Sequence, residues 1–295
     1  MSDLDSLMRN SAEGFRIVLV CGAERTGTTL LQRILCSDPT AIPVVGELPI
    51  INTIIDVVSS ARENYDFFYS DYFINREELD SIADLTVRSI VRSIRRKHPE
   101  SQLGVLKAPG FTPQLHTLRR ILPKANFVVM TRSPMDAIAS MEQVATREKT
   151  AGSAPAIAAL AGNIKALTRH FLSYYEPLMS LNASDVSPIT FVKYEDLVRR
   201  PEVEISRLSA NLHLTLSSTN DRSEVMRSVY LHERSNARHQ AYWSDLYQLD
   251  ISAARVNSYK DVLTPDQQKI VLDMTRDYRR WRRRPWKKKE NTDKM

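Results

Sequence analysis

Cysteine is scarce: only Cys21 and Cys36 occur in 295 residues, too few for a disulfide framework or a four-ligand metal site. Cys21 closes an apolar run and Cys36 falls late in a helical stretch, where small core side chains are expected rather than reactive thiols. Long hydrophobic runs are missing too. No segment approaches the roughly 18–20 apolar residues that span a bilayer, and the early run Ile17–Cys21 is also too short for a secretory signal. Residues 1–14 are polar and acidic, unlike a transit peptide. These absences lead to the expectation of a cytoplasmic protein.

A general excess of one charge is absent as well. The formal net charge is +6, but residues 276–289 alone carry nine basic side chains against Asp277, so the rest of the chain is net −2. The basic character is therefore a C-terminal feature and not a coating for nucleic acid, and no specific nucleic-acid partner is expected. Within Arg279–Lys289, Trp281 and Trp286 interleave with the cations. That pattern suits a solvated helix end or a contact with an anionic surface.

Four continuous apolar runs are present, at Arg16–Cys21, Leu103–Lys107, Asn126–Thr131 and Ile189–Lys193. Continuity, rather than alternation, is expected of strands in a parallel sheet covered on both faces. Helical stretches lie between them. Thr112-Pro113, Ser133-Pro134 and Thr264-Pro265 each place a hydroxyl before a proline, and Pro201 opens another stretch through Asn211. The expected fold is α/β, an open and mostly parallel sheet flanked by helices, with ligands bound beyond the carboxyl ends of the strands.

The first run enters Gly22-Ala23-Glu24-Arg25-Thr26-Gly27-Thr28-Thr29 and then a helix. The spacing is that of the phosphate loop G-x-x-x-x-G-K-[ST], except that Thr28 stands where the lysine belongs. The backbone physics is retained: N–H groups curl inward and the helix start favours an anion. The loop alone leaves open a nucleoside triphosphate or another phosphorylated donor. The third run ends in Arg132-Ser133-Pro134, and Ser140 follows eight residues after Arg132. An arginine and a serine so placed could clamp a second phosphate.

Together these segments resemble the PAPS-dependent sulfotransferase family. Arg25-Thr26-Gly27-Thr28-Thr29 is similar to the family's 5′-phosphosulfate loop, Arg132 and Ser140 to its 3′-phosphate motif, and Tyr194-Glu195-Asp196-Leu197 to its Y-E-D-L segment. The resemblance spans residues 15–213 and implies a P-loop NTPase-like sulfotransferase fold. It implies PAPS (3′-phosphoadenosine-5′-phosphosulfate) as donor, PAP as product, and no required metal. Implied donor contacts are Arg25, Thr26, Gly27, Thr28, Thr29, Arg132 and Ser140, with Tyr194 near the base.

The length and the absence of a linker suit one domain over residues 1–295: a nucleotide-binding core at 15–213, an expected lid or acceptor region at 214–263, and a C-terminal helix and basic tail at 264–295. Arg25 is the candidate for stabilising the transition state, and Lys107 is expected at the same rim. Small-molecule members carry a histidine near Lys107-Ala108-Pro109-Gly110, and this chain has none there. Glu47, 22 residues after Arg25, resembles the glutamate placed similarly in tyrosylprotein sulfotransferases and is the candidate base. The stretch Leu231–His239, with Arg234, Ser235 and Arg238, is a candidate donor-closing loop. The aromatics Tyr65, Phe67, Phe68, Tyr69, Tyr72 and Phe73 suit packing or an apolar acceptor pocket. The acceptor stays open among small molecule, sugar, lipid and peptide tyrosine. A kinase with an altered loop and a non-catalytic nucleotide-binding protein are the competing readings.

Overall fold

A computed structural model describes residues 14–152, 156–181, 189–217 and 251–284. Its four strands have the expected bounds: β1 Arg16–Cys21, β2 Leu103–Lys107, β3 Asn126–Thr131 and β4 Ile189–Lys193. Every pairing is parallel, in the order β2-β1-β3-β4. The helices are α1 Thr28–Leu35, α2 Ile50–Glu63, α3 Arg76–Lys97, α4 Leu115–Ile121, α5 Pro134–Thr150, α6 Ile164–Met179, α7 Tyr194–Arg199, α8 Pro201–Leu212, α9 Pro265–Met274 and α10 Arg276–Arg282.

Alternate residues of each strand feed two separate cores, which is why the strand sequences are apolar throughout. Ile17, Leu19 and Cys21 face a layer built from α2 to α6, α9 and α10. Val18 and Val20 face a layer built from α1, α7 and α8. Because β2 and β3 flank β1 on opposite sides, the chain reverses direction across the sheet at β1. Helix α1, directly after β1, packs on one face and α5, after β3, on the other. That divergence opens a crevice at the carboxyl ends of β1 and β3.

The starts at Thr264-Pro265 and Pro201 follow the expectation, Ser133-Pro134 follows it in the proline but without a hydroxyl cap, and Thr112-Pro113 does not follow it. Thr264 caps α9 in a reciprocal capping box with Gln267, and Pro134 opens α5 at its first position. Thr112, in contrast, caps no helix, because α4 begins only at Leu115. Its hydroxyl instead accepts a hydrogen bond from Gly22 N at 2.7 Å, so a residue expected to start a helix anchors the phosphate loop.

The C-terminal helix corrects a second expectation. Trp281 does not belong to a solvated stripe; it is 3% exposed and packs with Tyr175, Tyr278 and Phe191. Burying two aromatic side chains of α10 fixes the helix on the sheet. Trp286 and Lys287 to Lys289 lie outside the described residues, as does Leu231–His239.

Cys21 and Cys36 are free and buried, and burial pushes both thiols well above the ordinary range. They are inert core residues. Among the expected aromatics, Tyr65 is buried, while Phe67, Phe68 and Tyr72 stand exposed. An open groove of about 360 Å³ between α2 and α3 is lined instead by Ile50, Thr86, Ser89, Ile90, Ser93, Ile94 and Lys97.

Candidate active site

The loop after β1 is held in its curl by named contacts. Gly22 N donates to Thr112, Ala23 N donates to the Tyr175 hydroxyl at 3.1 Å, and the Thr26 hydroxyl donates to Ala23 O at 2.6 Å. Tyr175 in turn donates to Met130 O at 2.8 Å, tying the loop to β3. Arg25 and Gly27 both have positive φ, 63° and 97°. At Gly27 the requirement is steric as well as conformational: a Cβ there would stand 2.5 Å from Tyr194 Cδ2. Gly27→Ala should therefore cost about 1–3 kcal/mol of local strain. Its expected effect is a roughly 5- to 150-fold loss of nucleotide affinity by calorimetry; unchanged affinity would show that the curl is dispensable.

Helix α1 begins at Thr28, and its own hydrogen-bond ladder starts with Leu31 N to Gly27 O at 3.1 Å. The N–H groups of Thr28, Thr29 and Leu30 belong to the first turn, where helix geometry supplies no internal acceptor. They are placed to receive an anion.

Lys107 completes this half of the site. It is the last residue of β2 and is wholly buried, so it does not snorkel at a sheet edge. Its ammonium donates to Thr29 Oγ1 at 2.9 Å and lies 3.3 Å from Glu47 Oε1. Glu47 is brought there by a backbone bond, Leu48 N to Lys107 O at 3.1 Å. Burial raises the Glu47 carboxyl above the ordinary glutamate value; Lys107 opposes that shift and Glu24 reinforces it. A carboxylate beside a lysine, with raised basicity, has the character of a general base.

The second half lies at the end of β3. Arg132 is 6% exposed, and its guanidinium sits 4.3 Å over the Tyr194 ring. It donates to Arg25 O at 2.9 Å and to Arg255 O at 2.7 Å, while its buried Nε has no hydrogen-bond partner. Arg25 Nε reaches Ser140 Oγ at 3.1 Å, so Arg25, Arg132 and Ser140 form one cluster. Burial, with the Arg255 cation nearby, pulls Arg132 below the ordinary arginine value, against the pull of Tyr194, Asp136 and Glu195. Arg132, with its unsatisfied buried donor and the Arg255 cation nearby, makes a site that an anion would stabilise. Burial raises the Tyr194 phenol, and the Arg132 and Arg255 cations oppose it.

The described candidates gather in two groups on one rim: Thr28, Thr29, Lys107 and Glu47 at the start of α1, and Arg25, Arg132, Ser140 and Tyr194 beside it, while Arg234, Ser235 and Arg238 lie outside the described residues. Arg25 points its Nε to Ser140. Tyr194 lies under Arg132 and against Gly27.

Sequence reasoning missed three contributors. Arg255 comes from a segment docked by backbone bonds from Asn257 N and Tyr259 N to the Asp136 carboxylate, at 3.0 and 3.1 Å. Asp136 lay inside the recognised motif, but nothing in the sequence announced its partner. His170 Nε2 stands 3.7 Å from Glu24 Oε2, and Tyr174 donates to Glu24 Oε1 at 3.4 Å. Helical spacing pairs His170 with Tyr174 but does not point to the loop.

This geometry defines an α/β protein with a phosphate loop of lysine-free type and a second cationic cluster beside it. A family model described as the sulfotransferase family matches residues 18–218, and the chain belongs to that family. Solved structures agree on the fold. The sulfotransferase domain of the Synechococcus PCC 7002 olefin synthase aligns with a TM-score of 0.56 at 16% identity, covering 91% of this chain and 97% of that one. The sulfotransferase domain from the curacin biosynthetic pathway aligns at 0.50 and 16%, covering 88% and 98%. No curated protein sequence matches the chain. No helix among the described residues is long and apolar enough to cross a membrane.

Proposed function

We propose that this sulfotransferase takes its sulfuryl group from PAPS and passes it to a hydroxyl or amine of an acceptor, releasing PAP. The observation that carries the donor assignment is the buried Arg132, whose Nε is unpartnered and whose other nitrogens bond Arg25 O and Arg255 O, next to a phosphate loop. A donor phosphorylated at two separate places uses both halves of that rim; a nucleoside triphosphate leaves the second without a task.

In the transfer, the acceptor oxygen or nitrogen forms a bond to sulfur as the bond from sulfur to the 5′-phosphate oxygen breaks. The bonding pair leaves with that phosphate, and the acceptor proton passes to Glu47. Lys107, Thr29 and the first N–H groups of α1 hold the charge that grows on the leaving phosphate. Arg25 links the loop to Ser140, coupling the position of that loop to the second cluster. A cytoplasmic setting, where thiols stay reduced, accords with the two free cysteines.

Calorimetric titration with PAP in EDTA, and with ATP and Mg²⁺ in parallel, tests the donor. Micromolar PAP binding without metal is expected, weakened about 10- to 150-fold by Arg132→Ala, the range for losing hydrogen bonds to a charged group. Tight ATP binding with no response to PAP would sink the assignment.

A further inference from the structure

Helix α10 lies beyond the residues matched by the family, which end at 218, yet it is bonded to the turn that carries Arg132. Tyr278, fully buried, donates its hydroxyl to Arg132 O at 3.1 Å. Arg282 forms an ion pair with Glu195 Oε2 and donates from Nε to Thr131 Oγ1 at 3.3 Å. The other oxygen of Glu195 accepts from Ser133 N at 2.6 Å. Three consecutive residues, Thr131, Arg132 and Ser133, are therefore each held, directly or through Glu195, by Tyr278 and Arg282.

The energetics favour a positioning role over a surface ion pair. Arg282 and Glu195 are 18% and 13% exposed, so screening by solvent is small and the geometry is restrictive. The aromatic cluster of Phe171, Tyr175, Tyr278 and Trp281 locks the helix against α6. A guanidinium that must meet a phosphate needs its backbone held within a fraction of an ångström. Tyr278 bonds the backbone of the arginine, Arg282 bonds the Thr131 hydroxyl and Glu195 beside it, and neither bonds the guanidinium of Arg132.

We propose that Tyr278 and Arg282 are positioning residues for the 3′-phosphate subsite, acting through Arg132. The proposal rests on the donor reading given above, and its test separates the two. PAP and AMP, which lacks the 3′-phosphate, are titrated into the full chain and its variants. Arg282→Ala is expected to weaken PAP about tenfold, with AMP changed less than about twofold. In an Arg132→Ala background the same substitution should have no further effect on PAP, as required of a residue that works through Arg132.

Tyr278→Phe keeps the aromatic packing and removes one hydroxyl, and it should lower PAP affinity selectively by about threefold. Together with Arg282→Lys, which retains the charge and should recover part of the loss, it carries the test if Arg282→Ala does not fold. Equal weakening of PAP and AMP, or an undiminished Arg282→Ala effect in the Arg132→Ala background, would overturn the proposal. So would unchanged PAP affinity in both Arg282→Ala and Tyr278→Phe. Wild-type protein that fails to prefer PAP over AMP would overturn the donor reading, and this inference with it.

Discussion

Glu47→Gln should lower kcat by about 10²- to 10⁴-fold, the usual contribution of a positioned general base, with PAP affinity unchanged. Glutamine keeps the shape of the side chain and a hydrogen-bond acceptor for Lys107 but cannot take a proton. In the wild type, activity should rise with pH along a limb that reports ionisation of Glu47. Burial raises that carboxyl above the ordinary value of 4.5, so the limb should lie above the usual glutamate range. Its disappearance in Glu47→Gln, measured as kcat against pH at saturating donor, identifies the base. A retained limb would assign the proton to another group.

The same shift has a stability consequence. A carboxyl raised on folding favours the protonated native state. Its contribution is fully present below the unfolded value and is lost as pH rises through the raised one. Wild type should therefore lose stability relative to Glu47→Gln across that window, visible in denaturation midpoints taken at several pH values.

Lys107→Met should lower kcat by about 10²- to 10³-fold, the loss recorded for one preorganised donor at a developing negative charge. Methionine fills the buried volume but removes the donor to Thr29 and the cation beside Glu47. Because Lys107 holds the Glu47 carboxyl down against burial, its removal should also move the acid limb to higher pH. The paired readout matters: a slower enzyme with an unmoved limb would place Lys107 at the leaving group alone. A moved limb without loss of rate at high pH would make it a partner of Glu47 and nothing more.

The two residues illustrate how far a sequence can be read. Lys107 ended an apolar run, and its place at the carboxyl end of that strand put it at the rim, but the run could not show that the lysine is buried outright. That follows from α1 and the Glu47 segment closing over it. Glu47 was placed by its distance from Arg25; its ion pair depends on the backbone bond from Leu48 to β2, a contact between segments 59 residues apart.

Local rules determined the strands, the loop and the order of its motifs. A continuous apolar run can be buried on both faces only in a covered sheet, and a glycine at φ 97° beside an aromatic ring admits no side chain. The same local rules misread Thr112, because a hydroxyl before proline caps a helix only if no stronger donor claims it, and Gly22 N does.

Tertiary structure alone decided which distant groups share the site. Arg255 reaches Arg132 across 123 residues and Tyr278 across 146, separations over which no periodicity carries information. It also decided the fate of the basic C-terminal run. Composition counts Arg282 and Trp281 as part of a charged tail, whereas packing buries one ring in the core and turns one guanidinium onto Glu195. The energy that orders them comes from contacts made only when the chain has closed on itself, so the sequence specifies those contacts without displaying them.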